Sequence, residues 1–235
     1  MKAPVDARAA HGVEAVLFDV DGTLIDSIDL IFESYEHTFA AHGLRVPSRS
    51  QLVSDLGRTL RDTFGAACAD GALVEELIAT YRTFNLARHD ELVKPYPGIV
   101  ETVRSVRDSG LRIGIVTSKL RATARRGLDV CGFGDVFEVF VGMEDCARHK
   151  PDPEPIRLAL RQLALPAESV CYVGDSPHDM AAGRAAGVRV FAAEWGPFGR
   201  EHFDGVHVDA WLAHPGAILS TCVPALSSRA GSRAT

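Results

Sequence analysis

Two aspartates stand two residues apart in the stretch AVLFDVDGTLIDS, Ala15 to Ser27. Asp19 and Asp21 follow Val16, Leu17 and Phe18, an apolar run that belongs inside a protein. Residues i and i+2 of an extended chain project to the same side, so both carboxylates can face one crevice. Gly22 then permits a tight turn close to a ligand. Two carboxylates held together repel, and binding a hard cation such as Mg²⁺ removes that repulsion.

Three further apolar runs end in polar groups. IVTSK ends in Thr117 and Ser118, whose hydroxyls suit a phosphate together with the N–H groups of a following helix N-terminus. RHKPDPEP supplies Lys150, with Pro151 and Pro153 restraining the backbone. VCYVGDSPHD supplies Asp175 and Asp179 around a turn. Each alone has an ordinary structural explanation, since an Asp after a strand often caps a helix and Thr-Ser-Lys often starts one. Four polar strand ends carrying acids, hydroxyls and a lysine in this order are harder to assign to capping.

The elements that must position these groups follow from the alternation of the chain. LRIGIV, VFEVFV, VCYVG and VRVFAA are short apolar runs, and helical stretches separate them at Lys119 to Val130, Pro153 to Leu163 and Pro177 to Ala186. Such alternation implies right-handed crossovers and a parallel sheet, and near-continuous apolar strands mean that both faces are covered. EAVLFDV belongs to the same sheet by its character. In open sheets of this kind function sits in the crevice beyond the carboxyl ends of the strands, where all four polar ends fall.

From about Ser27 to Val93 the rhythm breaks. Leu30, Ile31, Ser34, Tyr35, Thr38 and Phe39, and later Leu73, Leu77, Ile78 and Tyr81, keep helical spacing with no convincing strand. KPYPG, Lys94 to Gly98, reads as the return linker. The expected organisation is an α/β core over residues 12–26 and 95–223, an inserted all-α cap over 27–94, and disordered tails at 1–11 and 224–235.

Composition bounds the function classes. With 235 residues, 46% of them hydrophobic, the chain can bury a large core. A formal net charge of -6 gives no sign of nucleic-acid or anionic-membrane binding. No apolar stretch is long enough to span a bilayer, and MKAPVDARAAHG lacks the apolar region of a secretory signal. The five cysteines are scattered without a C-x-x-C pair and read as reduced thiols. His37, His42 and His89 lack ligand spacing, so no zinc site is expected. The expectation is a cytoplasmic protein, monomer or homodimer.

DVDGTLIDS, TSK, KPDPEP and GDSPHD together resemble the four motifs of the haloacid dehalogenase-like superfamily, over about Val16 to Ala193. The resemblance implies a doubly wound core with a helical cap inserted after the first motif. It implies that Asp19 is the nucleophile that forms an aspartyl-phosphate. Asp21 would protonate the leaving oxygen and then activate water. Thr117, with Ser118 nearby, would hydrogen-bond the phosphoryl group, and Lys150 would offset charge. Asp175 would bind Mg²⁺ with the Asp19 carboxylate and the Asp21 carbonyl, supported by Asp179. Asp21 separates the chain from the dehalogenases and phosphonatases of the superfamily, which lack that acid, and the absence of a membrane span excludes its ATPases.

YRTFNLARHDELV, and GIVTSK beside KPDPEP, look most like the branch of phosphoglycolate phosphatases and a pyrophosphate-hydrolysing phosphatase. The implied partner is a small phosphorylated compound, phosphoglycolate or a similar compact substrate first, with inorganic pyrophosphate as the alternative. β-Phosphoglucomutase-like mutases share the motifs and remain a rival, and a catalytically idle binding fold is a third reading, opposed by the intact acids. Arg58 and Arg61, in LGRTLRDTF, are candidates to reach from the cap to a substrate anion, against the alternative of solvated helix residues. His149 and His178 read as surface or supporting groups, Phe32, Tyr35, Phe39 and Phe64 as cap core, and EWGPF, Glu194 to Phe198, as either an active-site loop or a surface turn.

Overall fold

The computed structural model describes residues 12–222. The expected disordered tails at 1–11 and 224–235 lie outside the described residues.

The chain opens with β1 (Ala15–Phe18) and β2 (Ile25–Asp26), then runs through α1 (Ile28–Ala41), α2 (Arg49–Val53), α3 (Leu60–Ala67) and α4 (Gly71–Leu92) before returning through β3 (Lys94–Pro95). From there it alternates: α5 (Ile99–Asp108), β4 (Arg112–Val116), α6 (Arg121–Val130), β5 (Val139–Val141), α7 (Glu154–Leu163), β6 (Val170–Gly174), α8 (Pro177–Ala186), β7 (Arg189–Ala193), β8 (Ala210–Leu212) and α9 (Ala217–Cys222). Six strands form one parallel sheet in the order β5-β4-β1-β6-β7-β8. The sheet is doubly wound, as the alternation implied.

β1 is central. Leu17 pairs in register with Gly114 on one side and with Tyr172 on the other. Its residues divide by period two: Ala15 and Leu17 join one buried cluster, with Tyr172, Val190 and Ile156, while Val16 and Phe18 join the other, with Ile115, Val103 and Leu128. Val16, Leu17 and Phe18 are fully buried, and each contributes about 1.5–3 kcal/mol. That sum is enough to hold a carboxylate in the protein interior immediately after the strand.

The interruption is four helices joined to the sheet by a small antiparallel ribbon in which Ile25 pairs with Pro95 and Asp26 with Lys94. α1 and α4 enclose an aromatic cluster. Tyr35 lies 5.5 Å from Phe64 and 4.8 Å from Tyr81, centroid to centroid, with Phe39 and Phe32 also buried.

Three local readings are corrected. The helix expected from Lys119 begins at Arg121, so Thr117, Ser118 and Lys119 form a non-helical turn rather than a helix start. Of VFEVFV only Val139–Val141 pairs as a strand. β8 and α9 were not foreseen, because a three-residue strand after a long loop carries too little periodicity to read.

Candidate active site

The carboxyl ends of β4, β1 and β6 converge with the turn before α7. Asp19 follows β1, Thr117 follows β4, Asp175 follows β6, and Lys150 enters from the loop after β5. All four side chains are buried, and all line one cavity of about 170 Å³ between the sheet edge and the helical insertion. Asp21, Ser118 and Ser176 complete its floor.

Lys150 is the hub. Its Nζ donates to Asp179 Oδ1 at 2.6 Å and to the Tyr172 hydroxyl at 3.1 Å. It also lies 3.0 Å from Asp19 Oδ1, an ionic contact outside hydrogen-bond geometry, so that oxygen has no hydrogen-bond partner. Burial opposes the charge of Lys150, but Asp179 and Asp19 prevail and raise its pKa above the usual lysine value. Tyr172 OH also lies 2.8 Å from the Val116 carbonyl, which ties the hub to the neighbouring strand.

Asp179 has two structural roles. It is the third residue of a capping box that starts α8: Ser176 N donates to Asp179 Oδ2 at 3.0 Å and Asp179 N donates back to Ser176 Oγ at 3.2 Å, while Ser176 Oγ also donates to Oδ2 at 2.6 Å. Its other oxygen holds Lys150. Burial alone would raise its pKa, but Lys150 and Ser176 lower it.

The remaining acids are less compensated. Burial raises the Asp19 pKa from 3.8 to about 6, with Lys150 opposing and Asp179 and Asp21 adding to the rise. Burial, then the charges of Asp179 and Asp19, push Asp175 well above the carboxylate range, although Thr23 Oγ1 donates to it at 2.8 Å. Carboxylate oxygens of Asp19, Asp175 and Asp179 lie within 4.8 Å of one another. Gly22 makes room there: its φ is +82°, and a Cβ would stand 2.3 Å from Asp175 Oδ2. Three clustered acids, of which Asp19 meets Lys150 only through an ionic contact, and a donor set of oxygens alone fit a hard divalent cation of the Mg²⁺ kind.

Asp21 stands apart from that trio. Its Oδ1 accepts from Lys119 Nζ at 2.8 Å and from Ser27 Oγ at 2.6 Å. Burial would raise its pKa, but these two donors hold it below the usual value. The sequence reading did not single out Lys119, although TSK contains it. Tyr172, Ser27 and Thr23 were also missed, each lying inside or beside a motif. EWGPF is brought against the site: Trp195 Nε1 donates to the Thr23 carbonyl at 2.9 Å.

Of the hydroxyls, Ser118 Oγ is buried with no hydrogen-bond partner, and Thr117 Oγ1 accepts from Lys119 N at 3.3 Å. Arg58 reaches the cavity but pairs with Asp55 at 3.1 Å. Arg61 does not reach it. At the second position of α3 it turns outward and pairs with the exposed Glu75. His149 and His178 are half-buried and outside the cavity lining. His37 stacks on Phe84 and His42 meets Thr80, while the buried His89 pairs with Asp90. Among the described residues no helix is long and apolar enough to cross a membrane.

A crevice of this kind marks the chain as one of the doubly wound α/β enzymes that work at the carboxyl edge of their sheet. Its sequence narrows the class: residues 16–193 match the family described as haloacid dehalogenase-like hydrolase, and the chain belongs to that family. It is 39% identical over 208 residues to "Pyrophosphatase PpaX" of Anoxybacillus flavithermus, covering 88% of this chain and 96% of that protein. It is 41% identical over 177 residues to "Pyrophosphatase PpaX" of Halalkalibacterium halodurans, covering 75% and 81%. A haloacid dehalogenase-like protein of Bacteroides fragilis superposes with a TM-score of 0.83 at 27% identity, covering 88% of this chain and 99% of that one. CbbY of Rhodobacter sphaeroides, solved with phosphate, shares the fold at a TM-score of 0.76 and 24% identity, covering 88% and 96%.

Proposed function

We propose that the protein is a Mg²⁺-dependent phosphohydrolase of small phosphorylated compounds that carries the phosphoryl group on Asp19. The observation that supports this most is the buried Asp19 carboxylate, with an oxygen lacking a hydrogen-bond partner, at the floor of a cavity that also holds Lys150 and the Ser118 hydroxyl.

An Asp19 oxygen attacks phosphorus and the bond from phosphorus to the leaving oxygen breaks. The electron pair leaves with that oxygen, and Asp21 supplies a proton where the leaving group needs one. Ser118, Thr117 and Lys150 surround the phosphoryl oxygens with donors and positive charge, which is most of what phosphoryl transfer requires. Water then attacks phosphorus and gives its proton to Asp21, and the bond to Asp19 breaks to release phosphate. Asp19, Asp175 and the main-chain carbonyl of Asp21 would hold Mg²⁺, with Asp179 in support; when bound, the ion neutralises charge on the phosphoryl oxygens. The four-helix insertion, bounded near residues 27 and 94, acts as the cap that closes over this site and excludes water.

The name shared by the curated relatives favours inorganic pyrophosphate as the substrate. Compact phosphate monoesters, phosphoglycolate among them, are the second reading: the apolar residues Ile28, Ile31 and Leu56 suit the carbon part of an ester, which pyrophosphate lacks. Phosphate release from a panel of anhydrides and esters tests the proposal. Pyrophosphate or a compact ester should be turned over with Mg²⁺, and a protein inert on the whole panel would refute it.

A further inference from the structure

Four cationic side chains line the cavity: Arg58, Arg82, Lys119 and Lys150. Three already have carboxylate partners. Lys150 sits between Asp19 and Asp179, Lys119 donates to Asp21, and Arg58 pairs with Asp55. Arg82 has no ion pair and no side-chain hydrogen bond among the described residues.

Its mounting is firm. Arg82 lies on α4 between Tyr81 and Asn85, which are both buried one turn apart and also line the cavity. Asn85 Nδ2 donates to Ser34 Oγ at 3.1 Å, pinning this face of α4 to α1. Tyr81 packs on Tyr35. Arg82 is itself exposed, so it lines the cavity from its solvent-facing insertion side, while the acid cluster and Lys150 line it from the sheet.

That division matters for the substrate. The phosphoryl group must meet Asp19, so the leaving portion faces the insertion. Much of the insertion wall is apolar, from Ile28, Ile31, Leu56, Leu60 and Leu86, and offers nothing to an anion. A guanidinium suits bidentate recognition of phosphate or carboxylate, and one without a carboxylate partner has no ion pair to give up when it binds.

We infer that Arg82 binds a second anionic group on the leaving portion of the substrate, so that the preferred substrates carry a negative charge at both ends. The inference rests on the proposed phosphohydrolase activity and names the substrate class of that site. Two sources share the chemistry: the distal phosphate of pyrophosphate, and the carboxylate of a compact ester such as phosphoglycolate.

The test compares pyrophosphate and phosphoglycolate with phenyl phosphate, whose leaving group has no second anion. The wild-type protein should prefer at least one of the doubly anionic substrates, and which one identifies the source. Arg82→Gln should lower kcat/KM for that substrate by about ten- to a hundredfold more than for phenyl phosphate, mainly through KM. Arg82→Lys should restore part of the preference. Arg88→Gln, which removes a charge from the same helix at a residue paired with Glu91, should leave the preference unchanged. A wild-type protein that hydrolyses phenyl phosphate with no preference for either dianionic compound overturns the inference, as does an unchanged preference in Arg82→Gln. Failure of every substrate in the wild type overturns the phosphohydrolase reading instead.

Discussion

Replacing Asp19 by Asn should stabilise the metal-free protein near neutral pH while removing its turnover. Asp19 is 5% exposed, and burial raises its pKa from 3.8 to about 6 against the pull of Lys150. The folded state therefore holds this proton more tightly than the unfolded chain does. The stability that Asp19 contributes is fully present below about pH 4 and is lost as pH rises through about 6. A shift of about two units, at about 1.4 kcal/mol per unit, costs about 3 kcal/mol at neutral pH. Asparagine keeps the shape and carries no charge to desolvate. Urea unfolding in the presence of a chelator should give Asp19→Asn an advantage of about 3 kcal/mol at neutral pH that closes toward about pH 4. Taking the difference between the two proteins cancels titrating groups that Asp19 does not perturb, such as His89 and His178, whose pKa values burial lowers, whereas Asp175 and Lys150, which feel the Asp19 charge, also shift in the variant. Mg²⁺ should shrink that advantage, because an ion at a hundred times its Kd stabilises the wild type by about 2.7 kcal/mol and the variant by less. A metal-free variant no more stable than the wild type, or an advantage independent of pH, would refute the electrostatic reasoning.

A chelator should abolish activity, and Mg²⁺ should restore it where Zn²⁺ does not, measured as phosphate release. Asp21→Asn should lower kcat by about a hundred- to ten-thousandfold, and acid-quenched samples should hold more phosphorylated protein than the wild type because water is no longer activated. Gly22→Ala should weaken Mg²⁺ binding in a calorimetric titration, since its Cβ would displace Asp175, and should lower stability by at least the roughly 1–2 kcal/mol of a left-handed backbone at a non-glycine residue.

The sheet was legible because its strands are buried on both faces. Val16 to Phe18 and Val170 to Val173 must be apolar throughout, and the acids that follow them stand out for that reason. The helical insertion was legible as a loss of alternation. What stayed hidden depends on which way a helix faces. Arg61 and Arg82 look alike as exposed arginines in helical sequence, yet one pairs with Glu75 away from the cavity and the other lines it. Only the packing of Tyr81 and Asn85 against α1 separates them. Lys119 escaped for a related reason: helical spacing assigns it to α6, whereas the chain keeps an open turn through Thr117 to Lys119 and only then starts the helix. Asp179 was read from the sequence as a support for the metal site, and it is also the third residue of the α8 capping box, one oxygen on Ser176 and the other on Lys150.

Asp19 is the residue proposed to carry the phosphoryl group. Beryllium trifluoride binds a carboxylate oxygen as a phosphoryl group does, so a crystal structure of the protein with Mg²⁺ and beryllium fluoride tests the claim directly. Beryllium should be bonded to an Asp19 carboxylate oxygen, with fluorines against Ser118 and Lys150 and Mg²⁺ against Asp175. Beryllium fluoride bound to another residue, or a site in which Asp19 stays unbonded with both ligands present, would contradict it.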